Sequence, residues 1–223
     1  MPKVLFKLDY KKDAENYWGT VNSKNHGVNW VDSVSFALRK QIKGKSWKKS
    51  KNIIYKYLEE FYKKNGKKLK FVLNQFSEIW KLFEKEYFKR LERITKRKIY
   101  AKEFTAYLTT VNRCPYDQDK GWFMVSLSSS GLSACKIIGH ELMHFQLHHY
   151  FEKGIVKKIG TEKFWDLKEA LTVLLNEEFK DLWIMEDMGY TEHEELREFI
   201  SKQWRKEKDF DKLIEKCVEF LAK

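Results

Sequence analysis

In the N-terminal half of the chain, apolar residues recur at every third or fourth position between residues 51 and 98, which is the spacing of one face of an α-helix. One run covers residues 51–64 and a second covers residues 71–98, and Gly66 between them predicts a stop. The second run ends in the basic residues 96–98, which suit the negative end of a helix dipole. This half of the chain is therefore predicted to pack as amphipathic helices.

Two segments that follow predict strands rather than helices. Residues 104–111 and 122–127 are rich in β-branched and aromatic residues and are separated by a polar turn that contains proline and glycine. They predict a small antiparallel sheet, and alternating apolar residues over 4–8 predict one more strand. Because the strands precede a run of helices and do not alternate with them, the pattern indicates a mostly helical α+β fold.

The other helices are predicted from caps and stops. Residues 30–42 predict a helix capped by Asp32 or Ser33. Ser133 is the predicted N-cap of a later helix, with Gly154 just past its end.

The C-terminal part predicts two further helical segments. After a loop over residues 154–160, which allows the chain to turn back, a helix is expected from Thr161 to Phe179. Another is expected from Thr191, which has capping-box spacing to Glu194, and it continues with a break to the C-terminus.

Charge is distributed unevenly along the chain. Residues 1–98 carry 26 Lys/Arg against 10 Asp/Glu, a net +16, and residues 99–223 carry 18 against 22, a net −4; together they give the total of +12. We therefore predict a basic, mainly helical lobe over 1–98 and a second domain over 99–223. The basic lobe is compatible with a nucleic-acid partner, although a lysine-rich solvated surface gives the same pattern.

Residues 140–144 read His-Glu-Leu-Met-His within a predicted helix. Positions i and i+4 lie on one helix face, so the imidazoles of His140 and His144 can converge on one tetrahedral zinc ion. Glu141 projects to the same side and is the candidate general base that takes a proton from water on the metal. His148 is expected to lie too far along the helix to share the ion.

Catalytic zinc usually has three protein ligands and one open position. The third ligand is predicted to be Glu169, which lies beside the apolar stripe of the helix that follows the 154–160 loop. Glu177 and Glu178 are the competing carboxylates, two turns later.

On these residues the chain resembles the zincin metallopeptidases, and more narrowly the gluzincins, over residues 104–179. The resemblance implies a peptide substrate that pairs with an edge strand at 122–127. It also implies that Tyr190 and His193 stabilise the transition state. The aspartate that gluzincins often carry four residues after the third ligand is replaced by valine here, so Asp166, Thr172 or Asn176 is expected to orient the ligands instead.

The function predicted from these observations is a zinc-dependent peptidase that acts on a peptide or protein. The alternatives are a nucleic-acid-associated factor with a local or structural zinc site, and an inactive zincin-fold interaction module. Charges interrupt every apolar stretch, so no signal peptide, membrane span or membrane partner is predicted. Three widely spaced cysteines without a C-x-x-C pair favour reduced thiols and a cytoplasmic location.

Overall fold

A computed structural model of the 223-residue chain describes residues 1–23 and 29–222. Its internal contacts divide the chain into two compact units. The sheet unit comprises Val4–Ile79 and Glu103–Ala134. The other unit comprises Met1–Lys3, Trp80–Lys102 and Cys135–Lys223 and is called the metal-site unit, after the predicted ligands that it contains.

The sheet contains four strands: β1 (Lys3–Leu8), β2 (Glu103–Thr109), β3 (Tyr116–Asp117) and β4 (Trp122–Ser126). Their spatial order is β1-β2-β4-β3. The predicted strands at 4–8, 104–111 and 122–127 are thus confirmed as elements. The predicted antiparallel pairing of the last two is wrong, because β2 and β4 run parallel, with Thr105 opposite Trp122.

The hairpin in this sheet joins β3 to β4, which are antiparallel, and Gly121 lies in its turn with a φ of 63°. Strand β3 was not predicted, because two residues are too short to show a period. Since β4 has neighbours on both sides, the expectation that 122–127 forms an edge strand for a substrate is also wrong.

Helices α1 (Tyr10–Asn22) and α2 (Phe36–Ile42) supply much of the core of the sheet unit. The Asp9 side chain caps α1 by accepting hydrogen bonds from two backbone amides. The predicted helix over 30–42 is shorter than expected. Its proposed cap residues Asp32 and Ser33 lie in a separate 3₁₀ turn, and Asp32 instead accepts a bond from Arg39.

The core residues of this unit come from all three of its helical segments and from the end of β2: Ala14, Tyr17, Val21, Val34, Leu38, Ile42, Ile54, Leu58 and Val111.

Helix α3 runs without interruption from Trp47 to Thr95. The predicted stop at Gly66 is therefore wrong. A glycine inside a helix costs only about 1 kcal/mol relative to alanine, and the strong helix formers on both sides outweigh that cost. The apolar stripe continues through this position, with Leu58 and Leu69 both buried.

Helix α4 (Gly131–Leu171) contains one break, at Gly160, where φ is 83° and ψ is 169°. That backbone conformation favours glycine, which lacks the Cβ that would clash there. The predicted end at Gly154 is wrong by six residues, since the helix continues to this break. The N-cap is Ser130 and not Ser133, because the Ser130 hydroxyl accepts the bond from the Ser133 amide.

The remaining helices are α5 (Leu174–Glu178), α6 (Lys180–Trp183), α7 (Glu194–Lys206) and α8 (Phe210–Ala222). The predicted helix 161–179 thus ends early, at Leu171, and a turn separates it from α5. The predicted break after Thr191 is present between α7 and α8. Among the described helices, none combines the length and the apolar character needed to cross a membrane.

The predicted α+β fold, mostly helical with a small sheet, is confirmed. The boundary predicted at residue 98 falls inside the Trp80–Lys102 segment of the metal-site unit. The two divisions differ because the predicted boundary follows a change of net charge along the sequence. Compact units are defined instead by contacts between segments that are distant in the sequence.

Candidate metal centre

His140 and His144 lie on the first half of α4, before the break at Gly160. Their ring centroids are 4.3 Å apart, as expected for residues one turn apart on one face. The other side of the helix is buried through Ile138, Leu142 and Phe145. Gly139 lets the helix approach its neighbours closely, since a Cβ there would meet Trp183 at 2.8 Å.

Glu169 lies on the second half of α4, after Gly160. On one straight helix, residues 140 and 169 would be separated by about 44 Å. The break at Gly160 instead brings the Glu169 carboxylate to both imidazoles. The Nε2 of His140 is 3.4 Å from Oε2, and the Nε2 of His144 is 3.5 Å from Oε1.

These three side chains form a group whose donor atoms all lie within 4.8 Å of one another. Zinc bonds of 2.0–2.1 Å in tetrahedral geometry place neighbouring ligand atoms about 3.4 Å apart. The two nitrogen-to-oxygen distances match that spacing. The donor set therefore fits a zinc ion with two imidazoles, one carboxylate and an open position.

Lys168 places a cation directly beside this group. Its Nζ is 2.5 Å from Oε1 of Glu169, and its side chain is only 8% exposed. Burial raises the pKa of Glu169, but His144, His140 and Lys168 together outweigh that effect and hold it well below its usual range. Burial and the charge of Lys168 lower the pKa of His144 to about 3, which leaves this imidazole neutral, the form that binds a metal.

Asp187 orients the other imidazole. Its Oδ2 is 3.0 Å from Nδ1 of His140, which leaves Nε2 directed towards Glu169. Burial lowers the pKa of His140, but its hydrogen bonds to Asp187 and Glu169 outweigh that effect and raise it to about 10. A carboxylate behind a histidine ligand fixes its tautomer and ring orientation, so Asp187 has the position of a supporting carboxylate.

A buried network in turn fixes Asp187. Its Oδ1 accepts a hydrogen bond from Thr172 and lies 3.2 Å from Arg197. Its backbone exchanges two hydrogen bonds with the amide of Asn176, at 2.7 and 2.9 Å. Burial raises the pKa of Asp187, but His140 and Arg197 outweigh it and lower it to about 2.

Glu141 is buried, with 7% of its surface exposed. Its Oε2 has no hydrogen-bond partner among residues 1–23 and 29–222. Burial raises the pKa of this carboxyl to about 7, while His140 opposes the rise. A buried carboxylate oxygen without a protein partner is what a group that binds water requires.

The other predicted site residues are placed as follows. Thr172 and Asn176 form hydrogen bonds with Asp187. They therefore position the carboxylate that faces His140 and do not position an imidazole directly. Asp166 lies 3.2 Å from Nε2 of His193, and no bond from it to either ligand imidazole occurs among the described residues. Asp166 was predicted to orient one of the metal ligands. Its place on the helix directs its side chain to His193, so its position does not match that predicted role.

Tyr190 and His193 pack against each other, with ring centroids 5.8 Å apart. Burial, followed by the charges of Glu169 and Glu141, raises the pKa of Tyr190 to about 12. The charges of Glu169 and Glu141 thus act on Tyr190, and its hydroxyl stays protonated near neutral pH. His193 is buried and paired with Asp166.

The two carboxylates that compete with Glu169 for the place of third ligand are paired with other residues. Glu177 is paired with Arg205, and Glu178 with Lys208. His148 is 3.0 Å from Glu152 on its own helix, and His149 stacks on Tyr100.

Sequence reasoning missed Asp187, Lys168 and Arg197. Lys168 adjoins Glu169, so its proximity was available from the sequence. Asp187 had no such signal, because the loop that carries it is positioned only by the tertiary fold.

No protein family, no curated protein and no solved structure matches the chain. Interpretation of the site therefore rests on its own geometry and chemistry.

Proposed function

We propose that the protein is a zinc-dependent metallopeptidase that hydrolyses peptide bonds in a peptide or protein substrate. The observation that carries this proposal is the convergence of His140, His144 and Glu169, whose donor atoms lie within 4.8 Å of one another. Such a set binds zinc and leaves one coordination position open to substrate and water. A zinc ion held there supplies Lewis acidity, which polarises a carbonyl and makes water acidic enough to attack near neutral pH.

The roles of the surrounding residues follow from their positions. Glu141 is the general base: its unbonded oxygen accepts a proton from the attacking water and then passes it to the leaving amine. Asp187 pairs with Nδ1 of His140, so Nε2 is the nitrogen that would bind the metal once it has given up its proton. Tyr190, with its protonated hydroxyl, is the candidate donor to the negative charge that develops on the substrate oxygen.

A purely structural zinc site is disfavoured by Glu141. A structural site is usually closed by four protein ligands, whereas the described residues offer a group of three and a buried carboxylate without a partner. A cytoplasmic location remains part of this proposal. It is supported by the buried thiols of Cys135 and Cys217, which suit a reducing compartment.

The test combines zinc content with hydrolysis. Wild-type protein and Glu141→Gln are loaded with zinc and incubated with an unstructured protein substrate, and new N-termini are mapped by mass spectrometry. We expect cleavage by the wild type and a loss of about 10²- to 10⁴-fold in Glu141→Gln, with one zinc retained in both. Equal hydrolysis by the two proteins contradicts the assignment of Glu141. Zinc binding without any hydrolysis by the wild type favours the interaction module.

A further inference from the structure

Helix α3 carries a straight row of lysines on the part of it that belongs to the sheet unit. Lys49, Lys56, Lys63 and Lys70 recur every seven residues and are all exposed. Seven residues make nearly two turns, so these side chains lie on one side of the helix about 10.5 Å apart and span about 32 Å. Lys67 falls on the same side and is also exposed. We call these five residues the lysine row.

The opposite side of this helix is buried in the core of the sheet unit. Ile54 and Leu58 are fully buried there, and Leu69 is 5% exposed. The burial pattern thus fixes the rotation of the helix and directs the lysine row to solvent. Five further lysines of the same segment are also exposed: Lys43, Lys45, Lys48, Lys64 and Lys68.

The positive charge of this segment is not neutralised within the protein. Residues 43–70 contain eleven lysines and only two acidic residues, Glu59 and Glu60. Although both glutamates precede Lys63 by one turn, no ion pair forms between any of these eleven lysines and a carboxylate among the described residues. A row of unpaired cations of this length attracts a polyanion.

Beside the row lies a hollow of about 360 Å³ in the sheet unit. Lys56, Tyr57 and Glu60 line it from helix α3, and Gln41 and Ser35 add further polar groups. Tyr57 is 39% exposed. An exposed aromatic ring next to hydrogen-bonding side chains suits a flat heterocycle that carries polar edges.

We propose that the lysine row binds the phosphate backbone of a single-stranded nucleic acid and that the hollow beside Tyr57 receives one of its bases. The row supplies cations along an extended path, and the hollow supplies the stacking surface that an unpaired base requires. In a duplex each base is stacked between its neighbours, so no base face is free to stack on Tyr57. A membrane surface is disfavoured because the apolar face of this helix is buried and cannot enter lipid.

The experiment measures binding of a fluorescein-labelled single strand of about 16 nucleotides by fluorescence anisotropy, between about 50 and 200 mM salt. The test variant carries Gln at positions 49, 56, 63 and 70. The matched control carries Gln in place of Lys85, Lys89, Lys153 and Lys157, four exposed lysines of the metal-site unit. Both variants lose four positive charges, so they differ only in where the charges were.

For single strands, each phosphate contact contributes about 0.7 to the slope of log affinity against log salt. We expect the test variant to lower that slope by roughly 2.8 and to weaken binding more than about tenfold, while the control retains the slope. A second variant, Tyr57→Ala, is expected to weaken binding about fivefold or more and leave the slope unchanged. An abasic strand should reproduce this loss with the wild-type protein.

Equal weakening by the test variant and the control overturns the proposal, because binding would then follow net charge alone. Absence of binding at the lowest salt also overturns it. Equal affinity for a duplex, or for vesicles of anionic lipid, contradicts the single-strand assignment, as does an abasic strand that binds as well as the intact one. None of these readings depends on zinc or on hydrolysis.

Discussion

Each unit of the molecule buries one aspartate, and the two aspartates have different partners. In the sheet unit, Asp13 is fully buried, and among the described residues the groups that donate hydrogen bonds to it are all neutral and belong to Thr109, Thr110 and Tyr62. In the metal-site unit, Asp187 faces His140 and Arg197. Burial dominates for Asp13 and raises its pKa, whereas the cationic partners of Asp187 outweigh burial and lower its pKa to about 2.

This difference distinguishes a structural acid from one that supports a site. Asp13 ties α1 to the end of β2, and the described residues that donate hydrogen bonds to it all belong to the sheet unit. Asp187 is tied to the fold by Thr172, Asn176 and Arg197 and directs one oxygen at His140, which belongs to the group of candidate metal donors. Substitutions in the two units should therefore have different effects. Loss of Asp13 should lower the free energy of unfolding, whereas loss of Asp187 should lower the affinity for metal.

The largest effect is expected for Glu169→Ala, which removes one of three donors. Loss of a residue that only supports a ligand costs 10- to 100-fold in metal affinity, so loss of the ligand should cost more than about 100-fold. Zinc affinity is measured by competition with a chromophoric chelator. The control is Glu177→Ala, since Glu177 is paired with Arg205 and should not affect zinc. Equal zinc affinity of the two variants would exclude Glu169 as a ligand.

Asp13→Ala should destabilise the protein by about 3 kcal/mol, because it leaves several buried donors unsatisfied. Urea unfolding measures the change, and zinc affinity should remain at the wild-type value. Asp32→Ala is the control, since its ion pair with Arg39 is exposed and worth less than about 1 kcal/mol. A cost below 1 kcal/mol for Asp13→Ala would show that Asp13 is not a structural centre.

The stability of the protein should also depend on the ionisation of Asp13. The folded pKa is raised above the ordinary value of 3.8, so the folded state binds the proton more tightly. The contribution of this group is therefore fully present below pH 3.8 and is lost as pH rises through the folded pKa. Asp13→Asn should remove that dependence, which is measured as the difference in unfolding free energy between the two proteins across pH.

Asp187→Ala should weaken zinc binding about 10- to 100-fold, because His140 loses the acceptor that orients it. The control is Asp166→Ala, which removes a carboxylate from the neighbourhood but contacts His193 and not a ligand. The same competition assay applies to both. If Asp166→Ala had the larger effect, the supporting carboxylate would have been assigned to the wrong residue.

The smallest effect is expected for Arg205→Ala. Its bonds to Glu177, at 2.7 and 2.9 Å, join the turn of α5 to α7, but the arginine side chain is 70% exposed. Exposed ion pairs contribute about 0–1 kcal/mol. Urea unfolding should show a change in unfolding free energy within that range, and zinc affinity should not change. A larger loss of unfolding free energy would show that Arg205 stabilises the fold despite its exposure.

The local parts of the site were predictable from the sequence. His140, Glu141 and His144 depend only on helical spacing, and Glu169 could be placed because the apolar stripe of its helix was visible. The fold class followed from composition and periodicity for the same reason.

The features that depend on distant contacts were not predictable. Asp187 reaches His140 through a loop with no periodic signal, and the hairpin partner of β4 is the two-residue strand β3 and not β2, which pairs with β4 in parallel. The helix breaks were predicted at the wrong glycines, because a glycine permits a helix to stop but does not require it. Gly66 and Gly154 are helical, whereas Gly160 has the positive φ at which the helix breaks.

The most direct test is a crystal structure of the zinc-loaded protein recorded at the zinc absorption edge. The account predicts one anomalous peak, about 2.0–2.1 Å from Nε2 of His140, from Nε2 of His144 and from an oxygen of Glu169. A peak elsewhere, or one that touches the histidines while Glu169 remains paired with Lys168 and away from the ion, would contradict it.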